Sequence, residues 1–201
     1  MRLTLNQGNI VLVAPNHRPD IVSKEWLNQN NILKEAPINF VHHPNFSLVD
    51  TTNFSINVVQ QRLTITARSS NQDMLNHLQT IANRYIKALP NISYNAIGLN
   101  CVWRILRTDP DLLKSTFITN SERFNKAFRD EASYDIGGIV YYQYGSFRVQ
   151  LTMTPQQNNH INADFNYHSD ITSPDQLGER ISHFTEAIGH ARNITGKLLG
   201  G

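Results

Sequence analysis

Two kinds of periodicity run along this 201-residue chain. One alternates apolar and polar residues in step, as a half-buried strand does. From Thr52 to Val58, Phe54, Ile56 and Val58 face one way and Asn53, Ser55 and Asn57 the other. Leu63, Ile65 and Ala67 repeat the pattern, so the two runs predict a hairpin turning at Gln60-Gln61. Ile10 to Ala14 is a short apolar strand ending at Pro15. Phe40 to Asp50 is extended but broken by Pro44, which suits an edge or a bulge. Ile92 to Ile105 is a long strand through Gly98. Ile136–Tyr144 and Phe147–Thr154 make the best hairpin, and Gly145-Ser146 suits a type II′ turn. His160 to His168 is the last strand.

The second periodicity is helical. Asn71 to Leu89 places Leu75, Leu78, Ile81, Ala82, Tyr85 and Ile86 on one stripe, capped at Ser70 or Asn71 and closed by Pro90. Pro19 to Leu27, Asp111 to Phe117 and Ser121 to Arg129 predict shorter helices. Pro174 to Leu199 reads as one closing helix, with Ser173 and Gln176 forming a capping box. The order antiparallel strands, then long helix, occurs twice. The fold expected is α+β: antiparallel sheet with long amphipathic helices on one face, in two similar halves. No Pro/Gly/Ser linker divides it, so residues 1–201 are read as one domain with lobes 1–108 and 109–201.

Composition narrows the class. The 18 basic and 16 acidic side chains nearly balance, and 40% of residues are hydrophobic, which excludes a disordered chain and a strongly basic nucleic-acid binder. The single cysteine, Cys101, excludes an intrachain disulfide and is expected in the core. No apolar run is long enough to span a bilayer and the first residues lack a signal-peptide core, so a cytoplasmic protein without membrane contact is expected.

The most chemically suggestive segment is His160-Ile-Asn-Ala-Asp-Phe-Asn-Tyr-His168. Strict alternation puts His160, Asn162, Asp164, Asn166 and His168 on one face. His160 and His168 are about 27 Å apart along a strand, too far to share a metal whose bonds are about 2 Å. If Thr154 stands opposite His160, Gln150 faces Asp164 and Arg148 lies diagonal to it. A ligand-binding face of Arg148, Gln150, Asp164, Asn166, His168 and Asp170 follows, weighed against an ordinary solvated sheet face. His168-Ser169-Asp170 precedes a helix start, a place where free N–H groups bind anions and also where capping residues are normal. His42-His43 alternate across a strand and do not chelate together. His183 and His190, seven apart, share a face of the closing helix. Phosphate-loop, dinucleotide, nucleophile-elbow and CxxC patterns are missing from the sequence. No catalytic residue, metal or cofactor is assigned.

Two stretches carry a family resemblance. Ile97-Gly98-Leu99-Asn100, running to Arg104-Ile105, resembles the Gly-Leu-Arg-Tyr-x-Asn-Arg strand of a sporadically distributed family of uncharacterised bacterial proteins. Ile161 to Tyr167 and the helix after it resemble that family's final acidic strand and closing helix. With the shared layout, the likeness covers about half the chain. Asn100 stands where the family favours Arg, and Asn166 where an acidic residue is usual. The resemblance implies a bacterial cytoplasmic protein, an accessory of a defence or mobile locus, and no catalytic residue.

The functional expectation is a non-enzymatic protein–protein interaction module whose partner is another protein or a second copy of itself. The alternatives are a small-ligand binder or hydrolase-like enzyme on the Asp164/His168/Asp170/Arg148 face, and a nucleic-acid binder using Arg148, Arg129 and the tyrosines around Tyr134, Tyr141, Tyr142, Tyr144 and Tyr167.

Overall fold

The computed structural model describes residues 2–106, 109, 111–129 and 134–199. The nine strands of one antiparallel sheet are β1 (Arg2–Val13), β2 (Asn39–His43), β3 (Phe46–Asp50), β4 (Phe54–Val59), β5 (Arg62–Ala67), β6 (Ala96–Leu106), β7 (Gly138–Tyr144), β8 (Phe147–Gln156) and β9 (His160–Asp170). Their spatial order is β2-β3-β4-β5-β1-β6-β9-β8-β7. β1 and β6, distant in sequence, pair at the centre over eleven residue pairs.

Helices α1 (Lys24–Gln29), α2 (Gln72–Ala88), α3 (Leu112–Phe117), α4 (Ser121–Ala127), α5 (Pro174–Ser182) and α6 (Phe184–Leu199) complete the chain. α2 buries Leu75, Leu78, Ile81, Ala82 and Tyr85, and α6 buries Phe184, Ala187, Ile188 and Ala191. They lie over the sheet face that presents Ile56, Ile65, Ile10, Leu99, Tyr167 and Val149, an unbroken buried row in register across six strands. Burying that row is the main stabilising term of the fold.

β1 shows why its first half escapes a reading by alternation. Leu3 and Leu5 point to the helices, and so do Ile10 and Leu12, although the two pairs have opposite parity. The register slips at Asn6, where a bulge inserts one residue and restores the facing. The strand therefore starts at Arg2 rather than near Ile10.

Other boundaries follow local chemistry. The segment expected as a helix from Pro19 is a single 3-10 turn, Pro19–Ile21, then α1, whose first turn is capped by Ser23 accepting from Trp26 N–H at 3.1 Å. Asn71 caps α2, accepting from Met74 N–H at 2.8 Å. Pro44-Asn45 turns the hairpin between β2 and β3, and β2 is an edge strand. At Gly145-Ser146 only Gly145 has positive φ, which fits a type II′ turn. Gly138 is a position of close approach: the Phe117 ring of α3 lies 2.5 Å from where a Cβ would be. The expected single closing helix is two, α5 and α6, broken at His183, which ends α5 with its N–H bonded to the carbonyls of Arg180 and Ile181. Gln176 Oε1 accepts from the N–H groups of Thr172 and Ser173, clamping the start of α5. The expected lobe boundary at 108 falls on Thr108, outside the described residues.

Candidate functional site

The sheet face away from the helices stays uncovered over its centre and one side. Strict alternation aligns its side chains into rows. One row runs through Asn9, Asn100, Asn166, Gln150 and Tyr141 on β1, β6, β9, β8 and β7. The next row toward the β6 N-terminus holds Val11, Gly98, His168, Arg148 and Gln143, and the row on the other side holds Gln7, Val102, Asp164, Thr152 and Ile139.

The register of β8 against β9 differs from the expected one by two residues. Gln156, not Thr154, stands opposite His160, because the loop is only Gln157-Asn158-Asn159. Asn158 and Asn159 both take φ of 57°, a left-handed conformation that asparagine tolerates better than most residues. Thr152 therefore faces Asp164, Gln150 faces Asn166, and Arg148 faces His168. A two-residue slip preserves parity, so all these side chains remain on the expected face.

Two adjoining hollows form. A larger one, about 600 Å³, is lined by Tyr141, Tyr142, Arg148, Val149, Gln150, Asn166 and His168. A smaller one, about 340 Å³, is lined by Gln7, Asn9, Asn100, Val102, Thr152 and Asp164. Gln150 and Asn166 line both and form the ridge between them. The six candidate residues thus share one face but do not meet at one point. Arg148, Gln150, Asn166 and His168 line the larger hollow, and Asp164 lines the smaller one with Gln150 and Asn166. Asp170 anchors the larger hollow's edge: its Oδ2 accepts from Arg148 Nη2 at 3.0 Å, and its Oδ1 lies 3.0 Å from His168 Nε2. Asp170 ends β9 rather than lying in the loop before α5.

The two carboxylates have opposite electrostatics. The His168 hydrogen bond, then the Arg148 charge, hold the Asp170 carboxyl below its ordinary pKa. Asp164 keeps solvent access but is crowded within the smaller hollow, and this partial desolvation raises its carboxyl. It makes no hydrogen bond or ion pair among the described residues. Asn100 Nδ2 donates to Asn9 Oδ1 at 2.8 Å, and Gln150 Nε2 to Thr152 Oγ1 at 3.2 Å. Asn166 spends none of its amide on a side-chain partner, so the ridge presents free donors and acceptors.

The remaining singled-out residues separate clearly. His42 stacks on Phe40 and His43 on Phe46, on opposite faces of the edge hairpin. Cys101 is buried on the helix side, and burial pushes its thiol pKa well up. His183 and His190 do not share a continuous helix face. His183 Nδ1 lies 2.8 Å from Glu186 Oε2 at the break between α5 and α6. His190 stacks on Tyr144 at 3.8 Å and its Nδ1 lies 2.8 Å from the Tyr167 hydroxyl. Tyr144 donates to Glu186 Oε1 at 2.7 Å. These tyrosines clamp α6 onto the sheet; only Tyr141, 71% exposed, stands free on the open face. Among the described residues, no three of His, Cys, Asp and Glu come together as a metal-ligand set, and no helix is long and apolar enough to cross a membrane.

Reading by segments missed Asn9 and Asn100, 91 residues apart in sequence and hydrogen-bonded in space. The signal was present in the polar positions of two strands, but it needed the β1–β6 pairing to become a site. No family model and no curated protein matches this chain.

Proposed function

We propose that the protein works by binding, and that the open sheet face over β6–β9 is its recognition surface for a partner protein. The observation that carries this reading is the row Asn100–Asn166–Gln150–Tyr141, flanked by Arg148. It combines an exposed tyrosine, an arginine and side-chain amides, that of Asn166 free of side-chain partners, on a rigid sheet. Tyr and Arg are the residue types that concentrate binding energy at protein interfaces, and a strand scaffold fixes their spacing. The surface is shallow and several strands broad, which suits a macromolecule more than an enclosed small molecule. In the resemblance drawn from the Ile97–Ile105 and Ile161–Tyr167 strands, such a module is a bacterial cytoplasmic accessory.

A second reading, a small-ligand binder or hydrolase-like enzyme, is favoured by the His168–Asp170 pair and the raised carboxyl of Asp164. Against it, Asp164 and His168 stand roughly 13 Å apart along β9, on either side of the Asn166 ridge. A nucleic-acid platform gains little support, because Asp170 neutralises Arg148 beside Tyr141.

The order of strands also supports the two-halves reading: β1 with the meander β2–β5, and β6 with the meander β7–β9, each follow a central strand with a return from an edge.

Native mass spectrometry of the protein purified from its source cell without a chelator tests the reading. A complex whose excess mass is a second polypeptide is expected. A small-molecule adduct on the 22.9 kDa chain, without any second polypeptide and abolished by Asp164→Asn, overturns it in favour of the small-ligand reading.

A further inference from the structure

The far end of the open face carries a third hollow of about 120 Å³, lined by Arg2, Thr4, Arg104, Leu106 and His160. Three strands build it. Arg2, Leu106 and His160 form one row across β1, β6 and β9, and Thr4 and Arg104 stand side by side in the next. Diagonal neighbours on adjacent strands lie about 7–8 Å apart. Arg104 is diagonal to both Arg2 and His160, so three basic side chains ring one small depression.

Neither arginine of the depression has a counter-charge among the described residues. Elsewhere on the sheet Arg68 pairs with Asp50 and Arg148 with Asp170. Arg2 and Arg104 have no ion pair and no side-chain hydrogen bond among the described residues. The nearest carboxylate in register, Asp164, is diagonal to Arg104 yet lines the neighbouring hollow instead. His160 Nδ1 is buried without a partner. Like charges on neighbouring strands destabilise a sheet. This cost is removed when a ligand supplies the negative charge.

We propose that Arg2, Thr4, Arg104 and His160 form a binding site for the phosphate group of a small phosphomonoester. Guanidinium forks match phosphate oxygens in bidentate geometry. The Thr4 hydroxyl, also on β1, and the His160 ring on β9 add further polar groups to the lining. A hollow of this size encloses one tetrahedral group and leaves the rest of the ligand outside. The site is separate from the recognition surface, since His160 lies about 27 Å along β9 from His168, and each proposal stands or falls alone.

Titration with phenyl phosphate at constant ionic strength, followed by amide NMR shifts, tests the site. Saturable shifts at Thr4, Arg104 and His160 are expected. Arg104→Gln, and separately Arg2→Gln, should weaken binding at least tenfold. Arg192→Gln, which removes the same charge from the exposed side of α6, should change it less than twofold. Shifts reproduced by chloride alone, or equal binding by Arg104→Gln and the parent, overturn the proposal. A single-stranded oligonucleotide that binds the same residues tenfold more tightly than phenyl phosphate also overturns it, because the site would then serve a phosphodiester backbone.

Discussion

Arg148 on β8 and Asp170 on β9 are bonded at 3.0 Å across the open face, yet both side chains remain two-thirds exposed. Exposed pairs contribute little to stability. Arg148→Ala should leave the melting temperature unchanged within error while weakening partner binding about tenfold or more, as loss of an interface arginine does. A matched fall in both would mean that Arg148 serves the fold. The sign of the pH effect on Asp170 is that of a depressed carboxyl: its small favourable contribution is present above its ordinary pKa and is lost as pH falls through the folded value.

His17 gives the fold its main pH dependence. It is fully buried, its Nε2 lies 3.1 Å from the Leu12 carbonyl oxygen, and its Nδ1 has no partner. Burial lowers its pKa from 6.5 to about 4, outweighing the opposing effect of the Leu12 bond. The folded state resists a proton that the unfolded chain accepts. The His17 contribution should therefore lower stability as pH drops from 6.5 to 4, by about 3 kcal/mol in all, and itself level off below that window. His17→Gln keeps an N–H for Leu12 and cannot titrate. Urea unfolding of this variant between pH 4 and 6.5 should lose most of the slope. His190, lowered by its own partial burial, supplies part of what remains. An unchanged slope would refute the assignment.

Two adjacent glycines set the entry to β7. A Cβ on Gly137 would sit 2.7 Å from the Met153 carbonyl oxygen, and one on Gly138 would sit 2.5 Å from the Phe117 ring. Overpacking of this kind costs about 1–3 kcal/mol. Thermal melts of Gly137→Ala and Gly138→Ala should both shift down. Gly189→Ala on α6, where nothing lies within 4 Å, should hold or rise, because alanine favours a helix over glycine. The reverse order would show that β7 is seated differently.

Cys101 should be silent toward a water-soluble thiol reagent in the folded protein. It is 2% exposed, and burial holds the thiol protonated. One equivalent should react only in denaturant, at the rate of a free thiol. Rapid reaction under native conditions would place β6 outside the core.

Most strands and the stripe of α2 were legible because Phe54, Ile56, Val58 and Leu75, Leu78, Ile81 follow simple periods. What local pattern could not carry was of two kinds. The bulge at Asn6 reverses parity within β1, so Leu3 and Leu5 looked unrelated to Ile10 and Leu12. The helix break at His183 has no proline or glycine to mark it; the stripe of α5 simply continues into that of α6. The site was legible to a similar depth. Parity placed Arg148, Gln150, Asp164, Asn166 and His168 on one face. The two-residue loop offset, set by left-handed Asn158 and Asn159, changed who faces whom, so Arg148 reaches Asp170 rather than Asp164. Asn9, Asn100, Arg2 and Arg104 join the face only through pairings between distant strands, which no local pattern encodes.

The most direct test of the recognition surface compares proteins retained by the parent chain and by Tyr141→Ala/Arg148→Ala in affinity capture from the source cell, with melting curves confirming that both are folded. A partner held by the parent, at fixed stoichiometry in the eluate, and lost from the double variant is the expected result. The same partner retained in the same amount by both would contradict it.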